Sequence, residues 1–138
     1  MNAELLSVEV TVIDERTAVV AVCGELDAET ATALHHHLAN QLTHGRRHLV
    51  LDLRDVPFMD SSGLNIIIRA YNDTRRVGGS VQLAAASPVV RRLLDLTGIS
   101  VTAPVRDTPE EALFALAAES LPAHPSPGAT PPADESSS

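Results

Sequence analysis

Apolar and polar positions change their period several times along the first 120 residues, and each change predicts an element. Leu6, Val8, Val10 and Val12 alternate with Ser7, Glu9 and Thr11, the period of two of a half-buried strand. Asp14-Glu15-Arg16 is a polar turn, and residues 18–23 follow as a wholly apolar strand, so the two predict a hairpin. Over residues 28–42 the period becomes helical, with Ala31, Leu34, Leu38 and Leu42 on one face, Asp27 as N-cap and Gly45 as C-terminal stop. Residues 48–53 (HLVLDL) form a short apolar run suited to an inner strand covered on both faces. A second helix is predicted over 62–77, where Leu64, Ile67, Ile68 and Tyr71 fall at i, i+3, i+4 and i+7 before Gly78-Gly79 ends the run. Residues 81–85 read as the next strand. Ser87 as N-cap and Pro88 at the first helical position then open a helix that stops at Gly98. Residues 99–102 are predicted as a short edge strand. Thr108-Pro109-Glu110-Glu111 has the form of a capping box and starts a last helix through Ser120. The order ββαβαβα(β)α implies an α/β layer with largely parallel crossovers.

Composition changes sharply after that helix. Residues 121–138 hold five Pro and four Ser with almost nothing to bury, so a disordered tail is expected beyond a domain of residues 1–120. No internal repeat is visible. The whole chain has ten Arg, no Lys and eighteen acidic residues, a formal charge of −8. Direct nucleic-acid binding is not expected of such a chain, because phosphate backbones require a basic face. With Phe58, Phe114 and Tyr71 as its aromatics, the core must be built from Leu, Val, Ile and Ala. The single Cys23 forms no internal disulfide, which suits a reducing cytoplasm, and its apolar strand predicts a small core residue. The N-terminal MNAELLSVEV lacks the features of a secretory signal, and no apolar run is long enough for a membrane span.

Candidate chemistry concentrates between the inner strand and the second helix, in Asp55-Val56-Pro57-Phe58-Met59-Asp60-Ser61-Ser62-Gly63-Leu64. This is the carboxyl end of a strand and the amino end of a helix, where open α/β sheets keep their sites. A serine there lies beside backbone N–H groups with no intrahelical partner, in the favourable field of the helix dipole. A phosphate on Ser61 or Ser62 would be tolerated locally, and would add roughly −1.5 to −2 charges beside Asp60. The plainer reading makes Ser61 or Ser62 an N-cap and Phe58-Met59 a hydrophobic staple. A serine hydrolase is not expected: there is no G-x-S-x-G elbow and no His assignable as a base. His35-His36-His37 does not predict a metal site, since helical ligand pairs use i, i+3 or i+4 rather than adjacent positions. Arg75-Arg76 and Arg91-Arg92 read as solvated helix faces.

Taken with its neighbours, PFMDSSGL resembles the phosphorylation-site signature of STAS-domain anti-sigma factor antagonists. Gly24-Glu25-Leu26-Asp27 and Ser87-Pro88-Val89-Val90-Arg91-Arg92-Leu93-Leu94-Asp95-Leu96-Thr97-Gly98-Ile99 fit the same family in order and spacing, over about residues 5–118. The resemblance implies a STAS-like mixed β-sheet with helices packed on it. It implies a binding module rather than an enzyme, with no cofactor and no metal. The unphosphorylated form would bind an anti-sigma factor, itself a serine protein kinase of the GHKL ATPase type, and so release a sigma factor. Phosphorylation of Ser61, with Ser62 as the alternative, would end that binding, and a serine phosphatase would restore it. Asp27, Asp60, Ser61, Ser62, Gly63 and Asn65 would form the partner surface. Asn65 departs from the family, many members of which carry a second Gly there. A scaffold subunit of a stress-signalling assembly, or a soluble accessory subunit of a transporter, is the alternative function.

Overall fold

The computed structural model describes residues 6–120; the Pro/Ser-rich segment 121–138 lies outside them. The elements are β1 (Ser7–Val12), β2 (Thr17–Cys23), α1 (Ala28–Thr43), β3 (His48–Asp55), α2 (Ser61–Arg76), β4 (Ser80–Ala84), α3 (Pro88–Thr97), α4 (Ile99–Thr102), β5 (Val105–Arg106) and α5 (Pro109–Ser120). The strands form one sheet in the order β1-β2-β3-β4-β5. β1 pairs antiparallel with β2 as the predicted hairpin, and each later pairing is parallel. The predicted α/β class, with a mixed sheet and helices packed on it, is observed.

Alternation along β3 assigns the two faces of the sheet. Leu49, Leu51 and Leu53 point into the main core with Leu34 and Leu38 of α1, Leu64 and Ile67 of α2, and Val90 and Leu94 of α3. Val50 points the other way, where Ala112 and Leu116 of α5 close a smaller cluster with Ala84. Helices α1, α2 and α3 therefore share one face, and α5 packs across β3, β4 and β5 on the opposite one. Burial of β3 on both faces explains its continuous apolar run.

Three expectations about packing are corrected. Residues 99–102 form the single helical turn α4 instead of an edge strand. Gly98 turns left-handed at φ 81°, and the Ala103 N–H donates to the Ile99 carbonyl at 2.7 Å. Burial of Ile99 and Ala103 outweighs the strand preference of this β-branched stretch, and the edge strand forms later, at Val105–Arg106. Cys23 is exposed. It ends β2 on the face opposite Val20 and Val22, just after a register shift between Ala21 and Cys23, so it misses the main core. On α2 the buried stripe is Leu64, Ile67, Ala70 and Thr74, with Tyr71 at its margin; Ile68 is 43% exposed. Small residues, not Ile68, let α2 lie close to the sheet. On α1, similarly, Gln41 is buried and Leu42 only partly so.

Candidate functional site

Two strand-to-helix connections, β2–α1 and β3–α2, meet at the carboxyl ends of adjacent parallel strands. They are laced by a short parallel bridge between Leu26 and Met59. The Leu26 N–H donates to the Phe58 carbonyl at 3.0 Å, and the Asp60 N–H donates to the Leu26 carbonyl at 3.0 Å. Both bridge side chains are buried. The loop is therefore held from below, as a continuation of the sheet.

Each connection ends in an aspartate that caps the following helix. On α1 the Asp27 carboxylate accepts the Glu29 and Thr30 N–H groups, each at 3.0 Å. The Asp27 N–H in turn donates to the Thr30 hydroxyl at 3.0 Å, which completes a capping box. The bond from the Thr30 N–H, ahead of the other local hydrogen bonds, holds the Asp27 carboxyl below the ordinary carboxylate range. Asp27 is thus a fixed negative charge at neutral pH. On α2, Asp60 accepts the Ser62 N–H at 2.8 Å through its side chain and the Leu64 N–H at 3.2 Å through its carbonyl.

The N-cap of α2 is thus Asp60, not Ser61 or Ser62. Ser61 becomes the first helical residue, freed from capping, and is exposed, whereas Ser62 is half-buried with its N–H spent on Asp60. The staple is also reassigned: Met59 is buried in the same core cluster as Leu64, while Phe58 turns outward and is 46% exposed. Asn65 is exposed one turn beyond Ser61. Gly63 is buried in the first turn, directly over the bridge: a Cβ built on it would lie 2.6 Å from Met59 Cγ and 2.9 Å from Leu26 Cβ. Leu26 and Met59 are the residues that sequence reasoning missed, because a two-residue bridge between loops has no periodicity. The signal available for the α1 side was Asp27 three residues before Thr30.

The arrangement presents the exposed Ser61 directly after the Asp60 cap, on a connection bridged to the one that carries Asp27. Neither connection, 24–27 or 56–60, contains a His that could deprotonate it. Ser61 is exposed at the first position of α2, and its side chain is not used as the cap of that helix. The STAS domain family model matches residues 8–112. This chain is a STAS-domain protein.

Relatives of this STAS chain carry consistent names. It is 33% identical over 99 residues to the anti-sigma F factor antagonist of Paenibacillus polymyxa, covering 71% of this chain and 85% of that one. It is 34% identical over 110 residues to the anti-sigma-F factor antagonist RsfB of Mycobacterium tuberculosis strain H37Rv, covering 78% and 88%. The crystal structure of an anti-sigma factor antagonist from Mycobacterium paratuberculosis superimposes with a TM-score of 0.74 at 33% identity, over 81% of this chain and 94% of that one. Among the described residues, no helix of the STAS fold is long and apolar enough to cross a membrane. Of its three adjacent histidines, His36 and His37 are exposed and His35 is half-buried.

Proposed function

We propose that this STAS chain is a cytoplasmic anti-sigma factor antagonist whose binding is switched by phosphorylation of Ser61. Unmodified, it engages an anti-sigma factor, itself a serine kinase of the GHKL ATPase type, and so releases a sigma factor. A serine phosphatase resets it. The observation that carries this reading is the exposed Ser61 hydroxyl at the first position of α2, freed from capping by Asp60 and braced by the Leu26–Met59 bridge. The names of its relatives point to the same partner class. In this reading the chain is a substrate and a ligand, not a catalyst.

The physics of the switch is local. A phosphate at a helix N-terminus is accepted by the orphan amides and the dipole, so the fold persists. The partner meets up to two new negative charges beside Asp60 where it fitted a neutral hydroxyl. Like charge misplaced across an interface costs several kcal/mol, and at about 1.4 kcal/mol per decade that is roughly two or more orders of magnitude in affinity. The test is to incubate the chain with a cognate anti-sigma kinase and Mg-ATP, map the site by tandem mass spectrometry and titrate binding. One phosphate on the 61–62 pair, mostly on Ser61, is expected, with binding lost in proportion. Ser61→Ala stays bound and ATP does not release it; Ser61→Asp copies the phosphate only in part. A phosphate elsewhere, or modified protein that binds as tightly as unmodified, rejects the switch. Size-exclusion chromatography separates the scaffold reading, since a stress-signalling assembly elutes as a large particle.

A further inference from the structure

The carboxyl ends of β3, β4 and β5 frame a second opening away from the Leu26–Met59 bridge. It is a cavity of about 420 Å³ lined by Arg54, Ala85, Ala86, Pro88, Arg91 and Asp107. Topology creates it. β4 and β5 are neighbours in the sheet, yet β4 feeds α3 on one face while β5 feeds α5 on the other. Where adjacent parallel strands send their next segments to opposite sides, the connections part and leave a crevice, the usual ligand position of open α/β sheets. Ala85, at φ 58°, turns the chain away from β4 at this point.

The lining is cationic in a chain of charge −8. Arg54 is exposed at the end of β3, on the α5 side of the sheet that Val50 also faces. Arg91 rises from the first turns of α3. Its terminal nitrogen reaches the Asp107 carboxylate at 3.5 Å, a long and largely exposed contact. The Arg91 Nε is buried without a hydrogen-bond partner among the described residues. A buried donor on a charged group is costly to leave unmade, and a small shift of the half-exposed guanidinium toward the crevice would let this nitrogen meet an acceptor bound there. Guanidinium forks match the oxygens of a phosphate in pairs. The positive end of the α3 dipole adds to the same field. Asp107 opposes it, with its own N–H turned to the Glu111 carboxylate at 3.3 Å.

We propose that this crevice binds a small phosphate-class oxyanion between Arg54 and Arg91, with Arg91 exchanging its long contact to Asp107 for the anion. The proposal is independent of the Ser61 reading. It is tested on the full chain, labelled with ¹⁵N, by titrating inorganic phosphate and, separately, pyrophosphate at constant ionic strength. Saturable shifts are expected at the Ala85, Ala86, Arg91 and Asp107 amides and at the Arg91 Nε–H signal; the tighter of the two anions tells a monophosphate from a diphosphate ligand. Arg54→Gln and Arg91→Gln should each weaken binding roughly tenfold, the loss expected when a charge-assisted pair is removed. Asp107→Asn should tighten it, by removing the competing carboxylate. Arg76→Gln, on α2, should change nothing. Arg91→Lys, which keeps the charge and loses the fork, should fall between wild type and Arg91→Gln, and guards against a glutamine variant that fails to fold. Non-saturating shifts, equal losses with Arg76→Gln, or weaker binding by Asp107→Asn would overturn the site.

Discussion

Gly63→Ala is the perturbation that most directly tests how the Ser61 platform is built. Gly63 is in the first turn of α2 with no left-handed backbone to protect, so helix propensity alone predicts that alanine stabilises, by at most about 1 kcal/mol. The structure reverses the sign. The new methyl would lie 2.6 Å from Met59 Cγ, 2.9 Å from Leu26 Cβ and 3.3 Å from the Leu26 carbonyl oxygen. Met59 can swing its side chain, but Leu26 Cβ is fixed to a backbone bonded on both sides to the β3–α2 loop. Forcing a methyl group into such a space costs about 1–3 kcal/mol. Set against the full propensity gain, a net loss of up to about 2 kcal/mol remains, by the same two effects. Urea unfolding of wild type and variant, with equal slopes, measures it. Met59→Ala in the Gly63→Ala background should recover part of the loss, a coupling of about 0.5–3 kcal/mol in a double-mutant cycle. Because relief requires α2 to lift from the bridge, phosphorylation of Ser61 should slow in Gly63→Ala. A Gly63→Ala protein more stable than wild type would refute the close approach, and with it the account of why a glycine stands here.

Other expectations follow from burial and charge. Ile67→Ala should cost about 2–5 kcal/mol, as truncation of a fully buried isoleucine does. Ile68→Ala should cost no more than about 0.5 kcal/mol, and equal losses at the two positions would mean that the phase of α2 is wrong. Asp27, with its folded-state carboxyl held low by the Thr30 N–H, stabilises the fold above the unfolded Asp value of about 3.9 and loses that contribution as pH falls through its own lower value. Asp27→Asn should therefore flatten the acid limb of stability, read as urea midpoints from pH 6 down to pH 3; an unchanged limb rejects the assignment. Removal of residues 121–138 should leave the melting temperature within a few degrees of wild type, because their Pro- and Ser-rich composition buries little. A larger fall would mean that the segment docks on the domain.

Periodicity by itself determined most of this fold, because strands and helices bury opposite faces with periods that a single sequence displays. The β1–β2 hairpin, the doubly buried β3, and the Ser87-Pro88 start and Gly98 stop of α3 were all legible. So was the position of the Ser61 loop, since Asp-Ser-Ser-Gly-Leu after an inner strand marks a strand-to-helix junction. Tertiary structure decided what local preference could not. Whether Ile99 to Thr102 became strand or helix turned on the burial of Ile99 and Ala103, a property of the main core. Cys23 followed the strand register to the exposed face, and Ile68 yielded its place to Ala70 and Thr74. The cap of α2 fell to Asp60, whose backbone is fixed by a hydrogen bond to Leu26 from a loop 34 positions earlier. That assignment leaves the Ser61 hydroxyl free. It arises from parallel pairing of two loops distant in sequence, and no window short enough to show a helix or strand period contains both partners.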